Sequence, residues 1–166
     1  MKYNTGKIVR TARLAALVCV GTSCITIQTP PNGYVHIGDS IVLLCGWLLG
    51  PLWGFFAAGL GSALADFLLG YAVYAPVSFL IKGLMAMVAF YIFSLLAGKR
   101  HMVFARILSA ALAEVVMIVG YYLFDGFIYG FAGFLASLPG YSFQAIAGIV
   151  LGVALIRLLE KTKLKF

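Results

Sequence analysis

Acidic side chains are scarce in this chain: Asp and Glu number five against twelve Lys and Arg, and charged residues fill only 10% of 166 positions. A soluble globular domain carries about a quarter of its residues as charge, so a chain this poor in it is not built to face water all round. Cysteine is also sparse. Cys19, Cys24 and Cys45 all fall in apolar runs, their spacing fits neither a zinc site nor a disulfide framework, and they read as small apolar fillers. An ATP-binding P-loop is missing: Gly98-Lys99 has Phe93 where the first glycine of GxxxxGK[ST] should stand and Arg100 after the lysine. No linker, low-complexity tract, soluble insertion or visible internal repeat interrupts the sequence.

What is present is apolar. Hydrophobic residues make up 63% of the chain and the mean hydropathy is +1.06, which identifies an integral membrane protein. Six apolar segments can be drawn, at residues 8–27, 39–49, 52–69, 76–97, 103–124 and 142–159. Most approach the ~20 residues that a spanning helix needs. The second is too short to cross upright, and Gly50-Pro51 breaks it from the third, because proline lacks a backbone donor and clashes with the preceding turn. A tightly bent helical pair is the expectation there. The whole chain, 1–166, is expected to be one domain, an all-α membrane protein folded as a compact bundle of six transmembrane helices.

Threading six spans puts every basic residue except Lys82 on one side: Lys2, Lys7, Arg10 and Arg13, then Lys99, Arg100 and Arg106, then Arg157, Lys161, Lys163 and Lys165. The positive-inside bias makes that side cytoplasmic, with both termini inside and the loops near Gly33, Tyr71 and Asp125 outside. The net charge of +7 then reports topology and anionic lipid, and argues against nucleic-acid binding. A charged N-terminus before an apolar run also fits a signal peptide, with Gly21-Thr22-Ser23-Cys24 faintly like a lipoprotein box. Removing it would leave an odd number of spans and carry the tail charges to the wrong side.

Helices in lipid associate through close approach of small residues. Gly50, Gly54, Ala58, Ser62 and Asp66 recur at four-residue spacing, so a narrow small-residue stripe climbs the third helix and ends in a carboxylate facing protein. Gln144, Gly148 and Gly152 repeat the pattern on the last helix. Ala12 and Ala16 form a smaller patch on the first, which by spacing alone suits internal packing more than a partner.

Ionisable groups outside the basic cluster are His36, Asp39, Asp66, Lys82, Glu114 and Asp125. Charge at membrane depth is costly and marks a pathway or a ligand site by default. Tyrosines 34, 71, 74, 121, 122, 129 and 141 stand around them, with Asn32 and Gln144 as neutral donors and acceptors. Aromatic walls with a few polar groups describe a small-molecule pocket, although an interfacial aromatic belt accounts for some of the tyrosines. Asp39, after Gly38, suits either helix capping or ligand contact. Asp66 and Lys82 suit a mutual ion pair more than direct ligand contact. Glu114, mid-helix among Ala, Val and Met, has no neutralising neighbour in sequence and is the strongest ligand candidate. Asp125, beside Gly126, reads as a solvated turn residue. Three carboxylates against Lys82 disfavour anionic solutes such as folate, biotin or pantothenate. A flat heteroaromatic with hydroxyl, amino or protonated ring nitrogen would stack on aromatic rings and donate to a carboxylate.

Two other classes remain open from the residues. His36, Asp39 and Asp66 could ligate a divalent metal in a small membrane enzyme, and Asp66 or Glu114 could carry protons in a self-sufficient carrier, for which six short helices without inverted repeats are poorly suited.

The segments GYVHIGDS, LGPLWGFFAAGLGSALAD and YAPVSFLIKGLM closely resemble the substrate-binding S component of energy-coupling factor (ECF) vitamin transporters, in the branch assigned to hydroxymethylpyrimidine or pyridoxine. The likeness extends over essentially the whole chain and is most specific from Gly33 to Met85. Ile37, Ser40 and Ser78 depart mildly, standing where the family commonly has leucine, alanine and threonine. The resemblance implies a non-enzymatic six-helix subunit of the prokaryotic plasma membrane. It implies that the chain binds a vitamin from outside with sub-micromolar-class affinity, thiamine or riboflavin being the further options. It also implies docking on a transmembrane T component driven by two cytoplasmic ATPases, which use the ATP; no cofactor or metal is expected in this chain. Under that resemblance Ala12 and Ala16 become the T-component contact. The candidate substrate-binding residues are Glu114, Asp66, Lys82, Asp39, His36, Gln144, Tyr74 and Tyr121; no catalytic residue is expected.

Overall fold

A computed structural model of the chain describes residues 5–29, 33–97 and 102–162. Asn32 and the basic residues Lys2, Lys99, Arg100, Lys163 and Lys165 lie outside the described residues. In order, helix α1 (Thr5–Cys24) leads into an antiparallel hairpin of β1 (Thr26–Thr29) and β2 (Gly33–His36), then α2 (Asp39–Leu49), α3 (Pro51–Leu69) and α4 (Ala75–Leu96). A continuous helical stretch, Met102–Thr162, closes the chain, but Gly130 at φ 73° interrupts it. Its two arms are α5 (Met102–Gly130) and α6 (Leu135–Lys161). Among the described residues four helices, α3 to α6, are long and apolar enough to cross a membrane.

The hairpin corrects the first boundary drawn from sequence, which carried the first helix to Ile27. Thr26, Ile27 and Thr29 are β-branched and favour extended backbone, and Ile27 pairs with Val35, Gln28 with Tyr34. The bend at Gly50-Pro51 matches expectation. Gly50 adopts φ 81°, a region that glycine enters without steric cost, and Pro51 opens α3 at a position where its missing N–H leaves nothing unsatisfied.

Successive helices run back and forth, so the starts of α1 and α5 and the end of α6 share one end of the bundle. Lys7, Arg10, Arg13, Arg106, Arg157 and Lys161 gather there. Five of these are exposed, whereas the Arg106 guanidinium is buried 3.5 Å from the Phe93 ring centroid and donates to Glu160 at 3.1 Å. The opposite end holds the hairpin and the α3–α4 turn.

The short helix α2 is the axis of the bundle, packed against α1, α3, α4 and the α5–α6 stretch. Val42, Leu43 and Cys45 are fully buried on it. Close approach depends on missing side chains: a Cβ on Gly46 would strike the Ala86 carbonyl of α4, and one on Gly61 would strike Ala15 and Val18 of α1. Backbones brought this near gain the van der Waals contact that holds helices together in lipid. The small-residue stripe of α3 is buried from Gly54 through Ala58 and Ser62 to Asp66, as its spacing predicts. Leu60, Leu64, Phe67 and Leu68 of the same helix are exposed, forming an apolar surface suited to acyl chains. Ala12 and Ala16 are exposed too, while Leu14 and Val18 make the buried face of α1. The internal packing role that spacing alone suggested for that pair is therefore wrong.

Candidate functional site

A cavity of about 340 Å³, counting its open mouth, lies at the hairpin end. Half-buried Tyr34 and Tyr71 flank the mouth with rings 4.8 Å apart, and buried Ser78, Tyr121, Tyr141 and Gln144 lie deeper. His36, Asp66 and Tyr74 complete the lining. Local chain geometry sets several of these. Gly70, at φ 86°, ends α3 in the left-handed conformation, and the Tyr71 N–H returns to the Asp66 carbonyl at 2.8 Å. That helix-ending motif folds Tyr71 back over the carboxylate at the top of the small-residue stripe.

Asp66 is 3% exposed and accepts a short hydrogen bond from the Tyr34 hydroxyl on Oδ1. Its Oδ2 is buried and makes no hydrogen bond among the described residues, the neighbouring Ser78 hydroxyl being paired with the Tyr121 hydroxyl at 2.7 Å. A buried acceptor left unmade costs about 1–3 kcal/mol, so Asp66 presents an unmet demand for a donor at the wall of a cavity. Burial and the neighbouring Asp66 both push the Tyr34 phenol upward, which keeps it a donor at neutral pH.

Beneath the cavity lies a connected polar network. Gln144 accepts from the His36 N–H at 3.1 Å and donates its Nε2 to Asp39 Oδ2 at 2.6 Å. Lys82 Nζ donates to Asp39 Oδ1 at 2.5 Å, and both side chains are essentially inaccessible. The Lys82 ammonium also stands 5.4 Å from the centroid of Tyr121, within range of a cation–π attraction. His36 Nδ1 accepts from the Gly38 N–H at 3.0 Å, and burial pushes this imidazole down to about 4 against the opposing pull of Asp39. The hairpin is thus tied to α6 and α2 through neutral donors and acceptors.

Of the eight residues expected at the site, Asp66, His36, Gln144, Tyr74 and Tyr121 line the cavity, whereas Lys82, Asp39 and Glu114 do not. The expected Asp66–Lys82 pair is corrected: Lys82 is bound to Asp39 instead. Asp39, the first residue of α2, turns its two carboxyl oxygens to Lys82 and Gln144 instead of to the first backbone amides of the helix. Glu114 is 2% exposed, packs beside Gly148, and both its carboxyl oxygens lack a partner among the described residues. Asp125 is not a solvated turn residue. It is 1% exposed and accepts from Tyr74 and Tyr141. Tyr34, Tyr71, Ser78 and Tyr141 line the cavity without having been chosen as site residues; the tyrosines stood out as a group, but composition could not separate pocket from interfacial belt. His36, Asp39 and Asp66 do not assemble as a metal site: no cluster of three or more His, Cys, Asp or Glu suited to a metal occurs among the described residues.

Residues 2–161 match the family model described as the ECF-type riboflavin transporter S component. A protein of Pyrococcus woesei, described as an uncharacterized protein in gap 3' region, is 35% identical over 146 residues, covering 87% of this chain and 95% of its own length. The family is one of transporter subunits, not of enzymes, and with the apolar helices above it makes the chain a multi-pass membrane protein. This chain belongs to the ECF-type riboflavin transporter S-component family and is a substrate-binding component of an ECF transporter.

Proposed function

We propose that the chain captures a small heteroaromatic vitamin or precursor in the tyrosine-lined cavity and hands it to a transmembrane T component powered by two cytoplasmic ATPases. The observation that carries the reading is Asp66 Oδ2, a buried acceptor on the wall of an aromatic cavity that makes no hydrogen bond among the described residues. A planar ring bearing a hydroxyl, amino or protonated nitrogen would stack on the tyrosines and donate to that oxygen. Hydroxymethylpyrimidine and pyridoxine, each a single small ring bearing hydroxyl groups, ask for the least parting of the closely set tyrosines that line the cavity. Riboflavin is the second reading, favoured by the printed description of the matching family; thiamine follows.

Orientation follows from the basic end. The reading takes the end that carries Lys7, Arg10, Arg13, Arg157 and Lys161 as cytoplasmic, in keeping with the positive-inside bias, with both termini inside, six crossings of the plasma membrane and the cavity outside. Exposed Ala12 and Ala16 offer the T component a close-packing surface on α1.

Isothermal calorimetry of the purified chain with hydroxymethylpyrimidine, pyridoxine, thiamine and riboflavin tests the reading. One of them binds with sub-micromolar-class affinity, and Asp66→Ala weakens it by about 10- to 150-fold, the worth of a hydrogen bond to a charged group at about 1.5–3 kcal/mol. Undiminished affinity in Asp66→Ala removes Asp66 from the site.

A further inference from the structure

Asp125 is absent from the cavity wall, yet two of the wall's tyrosines are tied to it. Its Oδ1 accepts from the Tyr74 hydroxyl at 2.9 Å and its Oδ2 from the Tyr141 hydroxyl at 2.6 Å. Tyr74 stands at the start of α4, Asp125 near the end of α5 and Tyr141 in the second turn of α6, so one carboxylate fastens three elements around the cavity. Tyr129 and Ser137 lie close to the same cluster, beside Tyr74 and Tyr141 respectively. Among the described residues no cation pairs with Asp125, the ion pairs being Lys82 with Asp39 and Arg106 with Glu160.

A carboxylate that is 1% exposed and held by hydroxyls alone is a weak source of stability, because desolvation of the charge offsets what the hydrogen bonds return. An apolar side chain would fill the same corner at lower cost. What it could not do is hold two phenol oxygens at fixed points. With those oxygens pinned, the Tyr141 ring lies stacked on Tyr121 at 5.6 Å and 17°, while the Tyr74 ring is tilted 46° to Tyr121 at 6.4 Å. Rotation of either tyrosine about its side-chain torsions would change the breadth of the aromatic wall that a planar solute meets.

We propose that Asp125 is a positioning residue for the ligand: it fixes the tilt of Tyr74 and Tyr141 and thereby selects which ring systems fit between the tyrosines. The assignment rests on the vitamin-pocket reading above, and it puts a specificity determinant outside the cavity wall, on α5.

The test compares wild type with Asp125→Leu, which removes both contacts, and Asp125→Asn, whose amide can accept from one tyrosine and donate to the other. Ring-labelled tyrosine NMR in detergent reports the two tyrosines without any ligand, and calorimetry gives Kd for hydroxymethylpyrimidine, pyridoxine and riboflavin. Asp125→Leu shifts the Tyr74 and Tyr141 resonances, weakens the preferred compound by about tenfold, equivalent to about 1.4 kcal/mol, and narrows the ratio between one-ring and three-ring compounds. Asp125→Asn restores most of both. Tyr141→Phe adds little in the Asp125→Leu background, because the tether is already gone. If Asp125→Leu does not fold, Tyr74→Phe and Tyr141→Phe carry the same comparison one contact at a time. Unmoved resonances, or an unchanged selectivity ratio in a folded variant whose thermal midpoint alone has dropped, overturn the assignment. A wild type that binds none of the three compounds overturns the vitamin reading and the ligand role of Asp125 with it, and is told apart because the resonance shifts then occur with no binding to lose.

Discussion

Replacing Lys82 with methionine removes one half of a fully buried ion pair. The ammonium is fully inaccessible and sits 2.5 Å from Asp39 Oδ1. At an effective dielectric of about 20 the gross attraction at that separation is about 7 kcal/mol. Most of it offsets the desolvation of two ions, so the pair as a whole adds little over an apolar substitute. Removing one partner is different, since the Asp39 charge then stays buried with, among the described residues, only Gln144 Nε2 to donate to it. The expected loss is about 3–5 kcal/mol, much of the total stability of a typical domain. Methionine nearly matches the lysine stem in volume, so cavity formation contributes little. Equilibrium unfolding in mixed micelles, followed by far-UV circular dichroism, measures the loss. Lys82→Met combined with Asp39→Asn removes both charges and is expected to recover to within about 1–2 kcal/mol of wild type. A single variant less than about 1 kcal/mol below wild type, or a double variant no better than the single, would refute the view that Lys82 exists to neutralise Asp39.

Three further outcomes follow from the geometry. Gly46→Ala drives a methyl into the Ala86 carbonyl and separates α2 from α4; a loss of about 1–3 kcal/mol is expected, read as a lower thermal midpoint in detergent. His36, pushed down to about 4 by burial, contributes stability that is complete above its ordinary value near 6.5 and is lost as pH falls through about 4. The full loss is about 3 kcal/mol at about 1.4 kcal/mol per unit, and denaturant midpoints between those pH values, with His36→Gln as control, check it. Ala12→Leu with Ala16→Leu is expected to leave vitamin affinity within about threefold, since both face outward on α1, while abolishing co-purification with the T component; pull-down from reconstituted membranes decides.

Features encoded along one helix were legible from sequence. Gly54, Ala58, Ser62 and Asp66 lie on one buried face because four-residue spacing is a helical repeat, and Gly50-Pro51 announced its own bend. Pairings between elements were not legible. Asp39 and Lys82 are 43 residues apart, and which carboxylate meets the lysine depends on how α2 and α4 rotate against each other. Asp125 looked like a turn residue because its sequence neighbour is Gly126, whereas its burial comes from tyrosines on two other elements. Glu114 stands out by its depth, but depth does not say where a cavity ends: Tyr121 and Gln144 belong to the lining and Glu114 does not. The hairpin has a signal in Pro-Pro-Asn-Gly between two short β-branched or aromatic runs, but Ile25 and Ile27 are apolar enough to continue the helical pattern of the first segment.

Mass spectrometry of the small molecule that co-purifies with the chain after mild detergent extraction tests the central claim most directly. The account predicts one equivalent of a small heteroaromatic vitamin or precursor on the wild type and a depleted load on Asp66→Ala. A wild-type chain that carries no such compound, and takes none up when the four candidates are supplied, would contradict it.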